Sequence, residues 1–160
     1  MIYINNEVKF SEYPNGFVYL AIVNTHSYKP FIENSKYDFE QHIINEMKDF
    51  NILLWQSEYK NKLIVEINEE NNLKIIENGN YVFGSIKVTN GELFLAFYES
   101  IGMAAFYKDY PFPDKHMTKY KIELSNGNYI FGIKYVEGKF VILYDKTNEL
   151  INGWTKIIKI

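Results

Sequence analysis

Three side chains in one short segment are suited to acid–base chemistry. Asp109, Asp114 and His116 lie close together in a stretch that reads as a loop. Paired carboxylates can act as general acid and general base, yet carboxylates in loops are most often solvated or cap turns. The sequence also has no Gly-x-Ser-x-Gly elbow and no glycine-rich phosphate loop. We therefore expect that the protein is not an enzyme.

The histidines do not indicate a metal site. His26, His42 and His116 are scattered along the chain, and none lies in a ligand motif such as His-Glu-x-x-His. The chain has no cysteine, which excludes disulfides, thiolate ligands and a cysteine nucleophile. We expect neither a metal nor a cofactor.

Aromatic side chains are the remaining resource for binding, and they are concentrated in FYKDYPFPDKH, residues 106–116. Pro111 and Pro113 hold this segment extended and remove two backbone donors. One interpretation is a structural cross-over in which Phe106 and Phe112 close one end of a β-sandwich. The other is a surface that meets a partner. Both hold if the phenylalanines face inward and the tyrosines outward.

If this segment binds a partner, its tyrosines supply stiff contact area and its aspartates meet cations. The candidate partner-binding residues are Tyr107, Asp109, Tyr110, Phe112, Asp114 and His116. The segment NTHSYKPFIEN, residues 24–34, has a similar composition and is predicted to be a neighbouring loop.

Turn signals and alternating strands indicate how these residues are positioned. Turns are predicted at five Asn-Gly pairs and one Glu-Gly pair, which begin at residues 15, 78, 90, 126, 152 and 137. Such pairs accept the positive φ angles of hairpin turns. The flanking β-branched and aromatic runs predict strands near residues 7–12, 17–24, 52–57, 62–67, 73–77, 81–89, 92–99, 118–124, 128–136, 139–144 and 154–159. In the strand NYIFGIKYV, aromatics on both faces favour a central position, and Gly132 indicates a bulge or a close approach.

One helix is predicted over residues 36–49, with Ser35 as its N-cap and an apolar stripe that should lie on a sheet. Many short strands with hairpin turns and one packed helix predict a mainly β fold. It should be an antiparallel β-sandwich or an open barrel of about ten strands. A length of 160 residues favours one domain over residues 1–160.

Composition limits the class of partner. The net charge is −3, and all seventeen basic residues are lysines. Because arginine is the usual bidentate contact to phosphate and guanine, we expect no nucleic-acid ligand and favour a basic protein partner. No apolar run approaches the roughly 20 residues of a membrane-spanning helix. The opening MIYINNEVKF lacks the pattern of a secretory signal, so we expect a cytoplasmic location without membrane contact.

Two stretches are similar to a known family. The order VFGSIKVTNGELFLAFYES, residues 82–100, then KYKIELSNGNYIFGIKYV, residues 119–136, resembles the small bacterial β-sandwich inhibitors of the ComJ type, which inhibit competence nuclease. The shared element is a strand of pattern L-x-x-G-x-Y, here within ELSNGNYIFGI. Residues 100–117 and the tail after Val136 depart from the pattern. No inhibitory residue is carried over.

The resemblance implies a bacterial inhibitor or immunity protein that binds and occludes a cognate toxin of the nuclease type. Nucleases tend to be basic because they hold a polyanion, which fits a mildly acidic inhibitor. The alternatives are a cytoplasmic β-sandwich module that binds a small ligand or carbohydrate, an unrecognised enzyme, and a structural role through an exposed sheet edge. The final strand WTKIIKI is predicted to be such an edge, protected by lysines.

Overall fold

Two five-stranded β-sheets form the framework of the protein. The structure is a computed structural model that describes residues 2–7, 17–33, 38–58, 62–151 and 157–160. The strands are β1 (Ile2–Glu7), β2 (Phe17–Val23), β3 (Ile52–Glu58), β4 (Lys62–Glu69), β5 (Val82–Val88), β6 (Glu92–Phe97), β7 (Lys121–Glu123), β8 (Gly127–Val136), β9 (Lys139–Lys146) and β10 (Ile158–Lys159). The helices are α1 (Phe39–Lys48), α2 (Leu73–Asn78), α3 (Tyr98–Phe106) and a 3-10 turn (Met117–Tyr120).

The sheet topology confirms the prediction of a β-sandwich with a packed helix. One sheet has the order β1-β4-β9-β8-β5 and the other the order β10-β3-β2-β6-β7. Pairing is antiparallel except for β4 with β9 and β3 with β10, which run parallel. Each sheet is therefore mixed rather than purely antiparallel, and neither closes into a barrel within the described residues.

The core lies between the sheets, and buried residues from both of them form one hydrophobic cluster that includes Trp55, Phe131 and Phe140. Strand β2 is buried on both faces, and α1 and α3 add helical coverage to its sheet. This double coverage explains why β2 reads as a nearly continuous apolar run rather than an alternating one.

Helix α1 confirms the predicted helix with shorter bounds. Asp38, rather than Ser35, is the N-cap, and its carboxylate accepts a hydrogen bond from the backbone N–H of Glu40 at 2.9 Å. Ser35 lies outside the described residues. The side chains of Ile43, Ile44 and Met47 are buried, as the apolar stripe predicts.

The prediction of a strand over residues 73–77 is wrong, because these residues form α2. Asn72 caps the helix by accepting a hydrogen bond from the N–H of Lys74 at 3.1 Å. A short apolar run such as Leu-Lys-Ile-Ile cannot be assigned to strand or helix by periodicity alone. Helix α2 buries Ile76 against β8, where a Cβ on Gly132 would lie 2.7 Å from Ile76 Cγ2. Gly132 thus marks a close approach, and the pairing of β8 runs past it without a bulge.

The turns differ from the prediction in their connections. Glu137 and Gly138 make the β8–β9 hairpin with φ angles of 50° and 83°. The pairs that begin at Asn90 and Asn126 instead join strands of different sheets, and the pair at Asn78 ends α2. The remaining two pairs lie outside the described residues. Asn-Gly signals a reversal of the chain, but it does not specify which strand the chain pairs with next.

Several strand boundaries also differ. The first described strand is residues 2–7 rather than 7–12, and residues 8–12 lie outside the described ranges. Of the predicted strand 154–159, only residues 158–159 are described as strand, and they lie at a sheet edge as predicted. Residues 98–99 open α3, which the sequence analysis did not predict. No helix in the described ranges is long and apolar enough to cross a membrane.

Candidate functional site

The buried carboxylate of Asp114 holds the aromatic segment together by accepting hydrogen bonds from its neighbours. It is 3% exposed, and its Oδ1 accepts hydrogen bonds from the backbone N–H groups of His116 at 3.0 Å and Met117 at 2.9 Å. Its Oδ2 accepts a hydrogen bond from the hydroxyl of Tyr110 at 2.6 Å, and the Ser100 side chain in α3 also bonds the carboxylate. Asp114 therefore ties the segment to α3 instead of facing outward to a cation.

The hydrogen bonds and burial shift both titrating groups of this network. Burial raises the pKa of the Asp114 carboxyl, but the hydrogen bonds from Ser100, Tyr110, Met117 and His116 lower that pKa by more, so it lies below its usual range. Burial, the hydrogen bond to Asp114 and nearby negative charge raise the pKa of Tyr110 to about 12. Near neutral pH the pair therefore consists of a phenol donor and a carboxylate acceptor.

Phe112 packs the aromatic segment, residues 106–116, against the neighbouring loop, residues 24–33. Its half-buried ring packs on the core and lies 5.5 Å from the ring of Tyr28 between centroids. In the same region the N–H of Ile32 donates a 3.0 Å hydrogen bond to the carbonyl of Ala105 at the end of α3. The structure thus places residues 24–33 beside the aromatic segment, and Phe112 inward, as predicted.

The side chain of Phe106 faces solvent, contrary to the prediction that it closes one end of the sandwich. It is 66% exposed and does not close the end of the sandwich, because α3 places it on the outer side of the helix. Met103 is 42% exposed and Tyr107 is 60% exposed. Phe106 and Tyr107 follow Met103 by three and four residues, and the N–H of Tyr107 donates to the Met103 carbonyl at 3.0 Å. Met103 is therefore a surface neighbour of both aromatic residues, and we call these three exposed side chains the α3 patch.

Of the remaining candidates, only Tyr110 brings its side chain to Asp114 among the described residues. The side chains of Asp109 and His116 are exposed, and among the described residues no hydrogen bond links them to the Asp114 carboxylate. Tyr110 is half-buried and points to Asp114 rather than outward. Likewise, the described ranges contain no group of three His, Asp or Glu side chains arranged to hold a metal ion.

Met103 and the outward position of Phe106 were not predicted. The signal was present in the spacing, because Phe106 and Tyr107 follow Met103 by three and four positions, which makes them its neighbours only in a helix. The apolar and aromatic run over residues 92–99 instead favoured a strand that leads directly into a loop. Pro111 and Pro113 favoured a binding segment that begins at Phe106, whereas the exposed surface begins at Met103, about one helix turn before it.

Comparisons with protein-family models, with curated proteins and with solved structures find no match to this chain. The resemblance to nuclease inhibitors therefore stays a prediction. What the structure defines is a mainly β sandwich with packed helices, whose α3 patch is held by a buried hydrogen-bond network.

Proposed function

We propose that this protein is an inhibitor that binds a cognate protein toxin through the α3 patch and occludes the toxin's active site. The observation that carries the proposal is the exposure of Met103, Phe106 and Tyr107 together at the C-terminal end of α3. Methionine and aromatic residues are enriched in protein interfaces, and aromatic anchors carry much of the binding energy.

Anchoring of the backbone supports this role. The helix that carries the α3 patch is tied at Ala105 by the hydrogen bond from Ile32 and at Ser100 by the Asp114 network. A surface held in its binding conformation loses little conformational freedom when a partner docks, which favours affinity. A loop with no such ties would lose more.

The charge around the patch favours a basic partner. Residues 98–109 carry two carboxylates, Glu99 and Asp109, and one ammonium, Lys108. Both carboxylates are exposed, and no ion pair among the described residues engages either of them. Together with the net charge of −3, this arrangement would speed association with a basic protein and make binding weaken as salt rises.

A nuclease-type toxin is the partner class that we propose. Its substrate site must be basic, so an acidic, aromatic surface can cover that site without catalysis, metal or cofactor. We place this interaction in the cytoplasm, where an immunity protein would meet a toxin made in the same cell.

Affinity capture with matched variants tests the proposal. The wild type and two triple variants would be immobilised and exposed to lysate of the source organism at low and high salt. The first variant is Met103→Ser, Phe106→Ser and Tyr107→Ser. The control is Tyr3→Ser, Ile75→Ser and Tyr135→Ser, three side chains that are 40% to 57% exposed on the other sheet and α2.

We expect one basic protein that the wild type and control retain, that the α3 variant loses, and that elutes with salt. Its nucleic-acid-degrading activity should disappear when one equivalent of the wild type is added. Equal retention by all three proteins would contradict the α3 patch as the contact surface. Retention of no specific protein, or of a protein without such activity, would contradict the toxin proposal.

A further inference from the structure

A second aromatic surface lies between α1 and α3. Tyr19 of β2, Phe39 of α1 and Tyr98 of α3 contribute its rings, which we call the aromatic triad. The ring centroids of Tyr19 and Tyr98 are 5.3 Å apart, and those of Phe39 and Tyr98 are 6.4 Å apart with nearly perpendicular planes. The three rings come from three different elements, so the sequence does not bring them together.

The triad is open to solvent in part. Tyr98 is 37% exposed, and Tyr19 and Phe39 are half-buried. The Tyr98 ring lies beside the buried Gly102 of the same helix, where a Cβ would lie 3.6 Å from the ring. The ring of Tyr98 therefore lies against the helix rather than being covered by it.

The groups next to the triad are negatively charged. Glu40 follows Phe39 and Glu99 follows Tyr98, and both side chains are exposed. Residues 38–45 of the α1 region and residues 98–106 of α3 contain no lysine. Burial, Tyr98 and the charge of Glu40 raise the pKa of Tyr19, in that order, so the negative field of Glu40 reaches the Tyr19 hydroxyl.

Other aromatic rings of this protein already hold a cation of their own. The ammonium of Lys134 lies 4.4 Å from the centroid of the Tyr81 ring, and that of Lys87 lies 5.3 Å from the Phe50 ring. No lysine among the described residues lies over a ring of the triad. The triad thus combines exposed ring surface and nearby carboxylates with no cation from the described chain.

We infer that the aromatic triad binds a cationic side chain, arginine or lysine, that the partner protein supplies. A ring face attracts a cation within about 6 Å of its centroid, and a carboxylate beside the rings adds to that attraction. Arginine also stacks on aromatic faces through its planar guanidinium. The inference rests on the proposed function, and it adds a second contact to which the same helix, α3, contributes through Tyr98.

A titration with a small cation tests the triad without the partner. The probe is N-acetyl-arginine amide, and the matched neutral probe is N-acetyl-citrulline amide, which has nearly the same shape. Aromatic carbon–proton NMR spectra of the labelled full chain would follow the rings. We expect saturable shifts of the Tyr19, Phe39 and Tyr98 signals with the arginine probe, and much smaller shifts with the citrulline probe.

Two variants and two controls locate the binding. Tyr98→Leu and Glu40→Gln should each weaken binding of the arginine probe by about two- to fivefold, the loss typical of an exposed cation–π contact. Tyr135→Leu and Glu77→Gln change the same residue types on the other sheet and on α2, and they should leave binding unchanged. Glu40 is exposed, so its variant should fold even if Tyr98→Leu does not.

Equal shifts with both probes, absence of ring shifts, or unchanged binding in Glu40→Gln would overturn the inference. These outcomes are separate from the capture experiment, which depends on Met103, Phe106 and Tyr107. A captured toxin with no arginine response would support the proposed function and contradict cation binding by the triad. An arginine response without a captured toxin would support cation binding by the triad and contradict the proposed function.

Discussion

The hydroxyl of Tyr110 donates a 2.6 Å hydrogen bond to the buried carboxylate of Asp114, four residues further along the chain. With the bonds from Ser100, His116 and Met117, this contact closes the aromatic segment against α3. Two residues that the sequence analysis placed at a partner surface therefore hold the scaffold on which the α3 patch is presented. Their substitution should act on stability first.

Replacing Asp114 with asparagine should destabilise the fold. The amide presents an N–H₂ group where a carboxylate oxygen now accepts a bond, so at least one buried donor loses its acceptor, at a cost of about 1–3 kcal/mol. Urea unfolding monitored by tryptophan fluorescence measures the difference. The control Asp109→Asn changes an exposed carboxylate in the same segment and should shift stability by less than about 0.5 kcal/mol. Equal effects of the two substitutions would contradict the role assigned to Asp114.

The contribution of Asp114 should disappear in acid. Its pKa is lowered in the folded protein, so the unfolded state binds the proton more readily. The stability that Asp114 contributes is present above its unfolded pKa of about 3.9 and is lost as pH falls through the lower folded value. The difference in unfolding free energy between wild type and Asp114→Asn, measured by urea titration from neutral pH downward, should therefore shrink below about pH 4. A difference that stays constant or grows in acid would show that the folded pKa is not lowered.

Asn24 should be a cross-link between the two sheets. It follows β2 directly and is fully buried. Its Nδ2 donates hydrogen bonds to the Lys87 carbonyl at 2.8 Å and to Thr89 Oγ1 at 2.9 Å, at the end of β5 in the other sheet. Asn24→Ala should lower the unfolding free energy by about 1–3 kcal/mol, because the Lys87 carbonyl and Thr89 Oγ1 lose the donor that the buried Asn24 amide supplies. The exposed Asn90→Ala serves as control, and thermal unfolding that is equal in both variants would count against the cross-link.

Gly132→Ala should be destabilising although alanine suits a strand better than glycine. The new Cβ would lie 2.7 Å from Ile76 Cγ2 and 2.9 Å from Tyr81 Cβ, and overpacking of this kind costs about 1–3 kcal/mol. A double-mutant cycle with Ile76→Ala checks the cause, since removing the nearest atom should recover part of the cost. If the cost of Gly132→Ala is the same in both backgrounds, contact with α2 is not its source.

The sequence alone determined the elements whose signals are local. Alternation and aromatic runs identified most strands, the apolar stripe identified α1, and Glu137-Gly138 identified the β8–β9 hairpin, because each depends on residues a few positions apart. The number of such strands and the scarcity of helix signals predicted a mainly β fold, as a sandwich or an open barrel. A glycine in a strand likewise predicted a bulge or a close approach at Gly132, and the structure has the close approach.

Tertiary structure alone decided which faces and strands meet. Asn-Gly reversals lead into different sheets, Leu73–Asn78 became a helix packed on β8, and the run from Tyr98 to Phe106 became α3 with Phe106 outward. Asp114 is buried because folding places hydrogen-bond donors from Ser100, Tyr110, His116 and Met117 around its carboxylate. These outcomes depend on contacts between residues far apart in the chain, and packing of that kind overrides local preference wherever the local signal is weak.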